Sequence, residues 1–218
     1  MNADNGNTSG YADSAVNADN VDNAKDTNNI LIVGVGGQGS LLASRIFGCY
    51  YMSRGLDVKV SEVHGMSQRG GSVITYVRSG RRVDSPLVPQ GEADLLIGLE
   101  LLETLRWLDH VKQDGAVVVN TRRILPMPVI TGAMRYPLDI EVAIRESGRR
   151  VVALDALALA KQAGDIRAVN VALIGAAAKL METSQADWNE ALTACIKPQF
   201  LEANLKAFSL GGEGFGRE

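Results

Sequence analysis

Ile30-Leu31-Ile32-Val33-Gly34-Val35-Gly36-Gly37-Gln38-Gly39-Ser40 is the stretch on which the reading of this chain turns. A run of apolar residues, with β-branched Ile30, Ile32 and Val33, enters a glycine cluster, and a helical pattern starts at once with Leu41-Leu42-Ala43. Such a sequence reads as a buried strand, a tight turn and a helix N-terminus, the opening unit of an α/β sheet. Gly34, Gly36 and Gly39 fit G-x-G-x-x-G, and Gly37 adds a further position without a Cβ. The chemistry served is backbone that turns sharply and brings its N–H groups close to an anion. Taken alone, the same turn equally serves to seat a helix on a strand.

Outward from that unit, the chain divides by composition. Residues 1–29 are rich in Asn, Asp, Ala, Gly and Ser and contain no Leu or Ile. They hold too little apolar area to offset their ordering entropy, so a disordered tail is expected there. The domain is expected over 30–210, with a frayed C-terminus over 211–218. A first helix is expected over about 38–54, and strands over 57–63 and 72–77. About eight residues join those strands, enough for an antiparallel return but too few for a parallel crossover. Strands follow over 93–99 and 115–120, with a helix over 100–111 between them. Val129-Ile130 read as a short strand, Pro137 leads into a helix ending near Gly148, and 150–154 is a last strand. Helices are expected over about 156–163, 168–181, 186–196 and 198–208. The fold class is α/β: a Rossmann-like layered sheet, mostly parallel with an antiparallel strand, and a helical C-terminal third.

Composition excludes several classes of function. The net charge of -3 argues against nucleic acid, and no apolar run reaches the roughly 20 residues of a membrane span. The two cysteines, Cys49 and Cys195, lie far apart in sequence, which suits a reducing cytoplasm. Two thiols do not supply the four thiolates of an iron–sulfur cluster, and His64 and His110 have no neighbour at ligand spacing, so no metal site is expected.

Ligands of parallel sheets sit beyond the carboxyl ends of the strands. Gln38, His64 to Arg69, Glu100, Asn120 with Thr121, and Asp155 each follow a strand, and parallel strands would gather them at one edge. Within that set Ser67-Gln68-Arg69-Gly70-Gly71 is the unusual feature. Arg69 offers a fork of donors suited to phosphate or carboxylate, and Gly70 and Gly71 can turn consecutive N–H groups toward an anion. A hairpin whose arginine pairs with a surface acid is the plainer alternative. His64, at a strand end, is a candidate proton carrier, and a structural hydrogen-bonder is its plainer alternative. Glu62 stands near the acidic position of a dinucleotide site. Glu100, Asn120 and Asp155 also read as helix caps, and Asn170, Gly175 and Ala176 to Ala178 as a close helix-packing surface.

With these residues in view, the chain resembles the gamma-type domain of the 2-oxoacid:acceptor (ferredoxin) oxidoreductases, and within it the subunits that act on indolepyruvate. The matching stretches are 33–39, Glu62-Val63-His64-Gly65-Met66-Ser67-Gln68-Arg69-Gly70-Gly71-Ser72-Val73, 84–89, 93–98 and 202–208. The resemblance covers roughly 30–208. It implies oxidative decarboxylation of an aryl 2-oxoacid to its acyl-CoA, with electrons passing to ferredoxin. Thiamine diphosphate, Mg and 4Fe-4S clusters would belong to a partner alpha subunit and none to this chain alone. His64 and Arg69 become the candidate catalytic residues. Gly34, Gly36, Gly37, Gln38, Gly39, Ser67, Gln68, Gly70 and Gly71 become the candidate cofactor-binding residues, facing the partner and either shaping the active-site cleft or gripping a phosphate of coenzyme A. The glycine turn also looks like the nucleotide loop of enzymes that adenylate ubiquitin-like proteins, and a stand-alone NAD(P)-binding module is a further alternative. Neither explains the 64–71 loop.

Overall fold

The computed structural model describes residues 27–65 and 70–214. Its centre is a sheet of six strands: β1 (Thr27–Val35), β2 (Asp57–His64), β3 (Ser72–Gly80), β4 (Ala93–Gly98), β5 (Val111–Asn120) and β6 (Arg150–Leu154). Their order across the sheet is β2-β3-β1-β4-β5-β6. β1, β4, β5 and β6 pair in parallel, while β3 runs antiparallel to both β1 and β2. The expected layered sheet with an antiparallel strand is therefore present. The short 65–71 connection is its cause, because a chain that returns without a crossover must reverse direction.

Strand composition follows position. Ile30 to Val33 of β1, Leu96 and Ile97 of β4, and Val117 to Val119 of β5 are buried on both sides, as the central strands of a covered parallel sheet must be. β2, at one edge, mixes Lys59 and Glu62 with half-exposed valines, which discourages pairing with another chain.

Alternation along the strands feeds two apolar layers. Ile30, Ile32, Leu95, Ile97 and Val118 face a thick layer of α1 (Ser40–Met52), α5 (Ala156–Ala163), α6 (Val169–Leu180), α7 (Gln185–Cys195) and α8 (Pro198–Glu213). Leu31, Val33, Leu96, Val117 and Val119 face a thinner one, built on α2 (Leu101–Arg106) and α4 (Ile140–Arg145). In the thick layer α6 and α8 approach almost backbone to backbone. A Cβ on Gly175 would lie 2.0 Å from the Phe208 carbonyl oxygen, and one on Gly211 would lie 1.8 Å from that of Ala172. The packing role read for Gly175 is thus observed.

Several boundaries differ from the sequence reading, β3 for one running on to Gly80 where a strand over 72–77 is expected. β1 begins at Thr27, since Asn28 and Asn29 continue the ladder with β3 and the Asn29 N–H reaches Asp94. The expected helix over 100–111 stops at Arg106, because Leu108–His110 form a single tight turn and β5 starts at Val111. Val129-Ile130 belong to a short helix, α3 (Met127–Ile130), with the Ile130 N–H bonded to the Pro126 carbonyl. α8 does not fray at Gly211 but runs to Glu213, because Gly211 is the contact point with α6. The tail expected over 1–29 lies outside the described residues except for 27–29, as do 215–218 of the expected frayed end.

Candidate functional site

β1, β2, β4, β5 and β6 all point the same way, so the residues following them share one edge of the sheet. Gln38, His64, Glu100, Asn120 and Asp155 are brought to that edge, and Ser72 joins them at the start of the antiparallel β3.

The turn between β1 and α1 is tied down from three sides. The Gln38 side chain folds back so that Oε1 accepts the Val35 N–H at 2.6 Å while Nε2 donates to the Leu99 carbonyl at 2.9 Å. Gly34 is required beneath it, since a Cβ there would meet Gln38 Oε1 at 2.7 Å. The Gly36 N–H donates to the Gly71 carbonyl at 2.8 Å, joining the turn to the end of the 65–71 loop. From the thick helical layer, Asn170 Nδ2 donates to the carbonyls of Gln38 and Gly39. Gly37 and Gly39 adopt φ of 97° and 82°, left-handed values that glycine takes without strain.

This bonding decides what the turn offers a ligand. The Val35, Gly36 and Gln38 N–H groups are already engaged. Those of Gly37, Gly39, Ser40 and Leu41 have no acceptor among the described residues. They lie at the N-terminus of α1, where the helix dipole adds to their attraction for negative charge. Gly39 caps α1 without a side-chain hydrogen bond, which leaves that end open. Four such donors suit a phosphate or carboxylate.

Carboxylates flank the turn and are themselves engaged. Glu62 Oε2 accepts from Ser40 Oγ at 2.7 Å and from Thr75 Oγ1 at 3.1 Å. Glu62 is therefore held as a brace between β2, β3 and α1 rather than standing free for a ribose. Glu103 accepts from Ser72 Oγ at 2.5 Å and from Arg106 at 2.9 Å. Glu100, buried at the start of α2, accepts from the Glu103 N–H at 2.9 Å, the Ile124 N–H at 3.1 Å and the Tyr136 hydroxyl at 2.7 Å. Burial first, and then the Glu100 carboxylate, push the Tyr136 hydroxyl well above its ordinary value.

The capping roles read for Glu100 and Asp155 are observed, Asp155 accepting from the Ala158 N–H at 2.9 Å. Asn120 accepts from the Ala156 N–H at 3.3 Å. His64 is exposed, and among the described residues its ring contacts the Gly65 carbonyl at 3.0 Å. Gly70 and Gly71 sit at the edge, and Gly71 bonds the turn. Ser67, Gln68 and Arg69 lie outside the described residues. The sequence reads Asn170 only as a packing residue, its one signal being a lone amide in the mostly apolar first turns of α6. Ser40 and Glu103 had no sequence signal that set them apart.

Two cavities of about 1230 and 580 Å³ flank β6 and the opposite edge of the sheet, and the glycine turn lines neither. Among the described residues, no cluster of His, Cys, Asp or Glu is placed to hold a metal ion, and no helix is long and apolar enough to cross a membrane.

Residues 29–214 match the family described as pyruvate ferredoxin/flavodoxin oxidoreductase. The indolepyruvate oxidoreductase subunit IorB of Thermococcus kodakarensis is 40% identical over 188 residues, covering 84% of this chain and 93% of that protein. Among solved structures, the gamma subunit of a keto/oxoacid ferredoxin oxidoreductase from Geobacter sulfurreducens superposes with a TM-score of 0.64 at 22% identity, over 86% of this chain and 97% of that one. A 2-oxoglutarate:ferredoxin oxidoreductase from Magnetococcus marinus, solved with 2-oxoglutarate, coenzyme A and succinyl-CoA bound, gives 0.60 at 20% identity. That match spans 88% of this chain and 31% of the longer one. The two structural matches speak to the fold.

Proposed function

The chain belongs to the pyruvate ferredoxin/flavodoxin oxidoreductase family, and from that premise we propose that it is the beta subunit of an indolepyruvate ferredoxin oxidoreductase. The complete enzyme converts an aryl 2-oxoacid and coenzyme A to the acyl-CoA and carbon dioxide, passing the electrons to ferredoxin. The observation that carries this reading is the 40% identity to an indolepyruvate oxidoreductase subunit over nearly the whole of both chains.

The donor set of this chain does not fit an iron–sulfur cluster, since the sequence holds two cysteines. The clusters, thiamine diphosphate and Mg are assigned to a partner alpha subunit. Thiamine diphosphate, when bound there, supplies the electron sink for decarboxylation. This chain contributes a binding edge. The N–H groups of Gly37, Gly39, Ser40 and Leu41 orient a phosphate of coenzyme A, and Arg69 pairs with the same charge from the 65–71 loop. In this reading His64, exposed at the same edge, is a further catalytic residue of the complete site. Gly37 and Gly39 of the turn are exposed, and in this reading the partner covers them and excludes water from the cleft. The large β6 cavity is set aside as the ligand site because the glycine turn does not reach it.

The test is to co-express the chain with the thiamine-dependent large subunit of the same organism. The purified complex is then assayed for dye reduction that depends on both indolepyruvate and coenzyme A. Co-purification with that activity is expected. A solitary chain that binds ATP or NAD(P) tightly overturns the reading and returns the glycine turn to the adenylating or dinucleotide alternatives.

A further inference from the structure

Cys49 and Cys195 are separated by 146 residues in sequence, yet their sulfurs lie 2.6 Å apart. Cys49 is in the last turn of α1 and Cys195 is the final residue of α7. Both are half-buried free thiols. Their meeting is built by the surrounding interface. Trp188 of α7 is fully buried, stacks on Tyr50 with ring centroids 4.0 Å apart, and meets Phe47 edge-on at 5.2 Å. Arg54 pairs with Asp187 and covers the Tyr50 ring at 4.6 Å. Two helices fixed this firmly hold the thiols in register without help from the sulfurs themselves. Nothing in the proposed reaction uses them.

We propose that Cys49 and Cys195 are a thiol oxidation site, closing to an intramolecular disulfide when the chain meets a small-molecule disulfide such as oxidised glutathione. The thiolate of Cys49 attacks the oxidant, breaking its S–S bond and releasing one small thiol. The Cys195 sulfur then gives up its proton and attacks the mixed disulfide on Cys49, forming the Cys49–Cys195 bond and expelling the second small thiol. The chain loses two electrons and two protons, and the oxidant gains both. Bond formation requires the two sulfurs to move about half an ångström closer.

Chemistry around the pair sets the rate. Burial, reinforced by the neighbouring Cys49, pushes the Cys195 thiol up to about 12, so at neutral pH it is protonated and resolves the mixed disulfide slowly. Closure therefore accelerates as pH rises. The crosslink closes a loop of well over 100 residues, the regime in which constraint on the unfolded chain is largest.

The experiment uses the full-length chain and oxidised glutathione. Intact mass should fall by two hydrogens, and proteolysis should yield a Cys49–Cys195 linked peptide that dithiothreitol separates. Tm should rise by roughly 10 °C on the loop-closure scale. Cys195→Ser should instead accumulate a stable glutathione adduct on Cys49. Wild-type chain that accumulates glutathione adducts, forms intermolecular dimers, or stays fully reduced at pH 9 overturns the proposal.

Discussion

The Asn170 side-chain amide donates to the Gln38 carbonyl at 2.7 Å and to the Gly39 carbonyl at 2.9 Å, so a helix of the C-terminal third holds a turn 132 residues earlier in the chain. Both hydrogens of one NH₂ group are used on adjacent peptide units. The turn's outward face stays free because it is fastened from behind.

Asn170→Ala should cost about 1–2 kcal/mol of stability, the usual range for losing such bonds from a buried side chain. Asn170→Asp should cost more, since a carboxylate would face two carbonyl oxygens. Urea denaturation of the isolated chain measures both, and equal stability of wild type and Asn170→Asp would show that the turn holds itself.

Gly175→Ala should destabilise by at least about 1–3 kcal/mol, because the added methyl has no space short of moving α8. Thermal melting reads the loss. A wild-type melting temperature would mean that α6 and α8 sit further apart in solution.

Stability should fall as pH rises past about 10. Burial pushes the Tyr50, Tyr51 and Tyr76 hydroxyls upward, and burial with Glu100 does the same for Tyr136. The unfolded chain then gives up its tyrosine protons near the ordinary value of 10, while the folded chain keeps them. The contribution is full below that pH and is lost on the way up to the folded values. Denaturant midpoints between about pH 9 and 12 should fall less steeply in Tyr136→Phe than in wild type. A tyrosinate band that disappears in Tyr136→Phe, and titrates near 10 in folded wild type, would refute the assignment.

Arg69→Ala should raise the KM for coenzyme A in the assembled complex by roughly 10- to 100-fold, the scale of one charge-assisted hydrogen bond. The melting temperature of the isolated chain should not change. Kinetics unaltered across coenzyme A concentrations would remove Arg69 from the phosphate.

Much of this architecture is legible in the sequence because it is local. Ile30 to Val33 and Val117 to Val119 are apolar without alternation, which marks strands covered on both faces, and the short link before Ser72 forces β3 to run antiparallel. What escaped depends on distant partners. Gly211 reads as a helix stop, yet the helix continues because Ala172 needs a neighbour without a Cβ. Val129 and Ile130 favour a strand by type, but four residues around Pro128 are too few to display any period. Glu100 announces itself as a cap, but its second oxygen receives Ile124 and Tyr136 from a loop that no spacing connects to it. At the site, the donors of the glycine turn were visible as a group. Which of them are free is decided by Gln38 folding back onto the Val35 N–H and by the Gly71 and Val35 carbonyls taking the N–H groups of Gly36 and Gln38.

The hairpin between β2 and β3 has a consequence for how this edge can diversify. A crossover helix fixes both the spacing and the direction of the strands it joins, so its length cannot drift without disturbing the sheet. A hairpin tip carries no such constraint: residues can be gained or lost between Gly65 and Gly71 while the ladder from His64 and Val73 downward keeps its register. The segment beside the glycine turn is thus free to be retailored for a different substrate or a different companion chain, with the load-carrying strands beneath it left as they are.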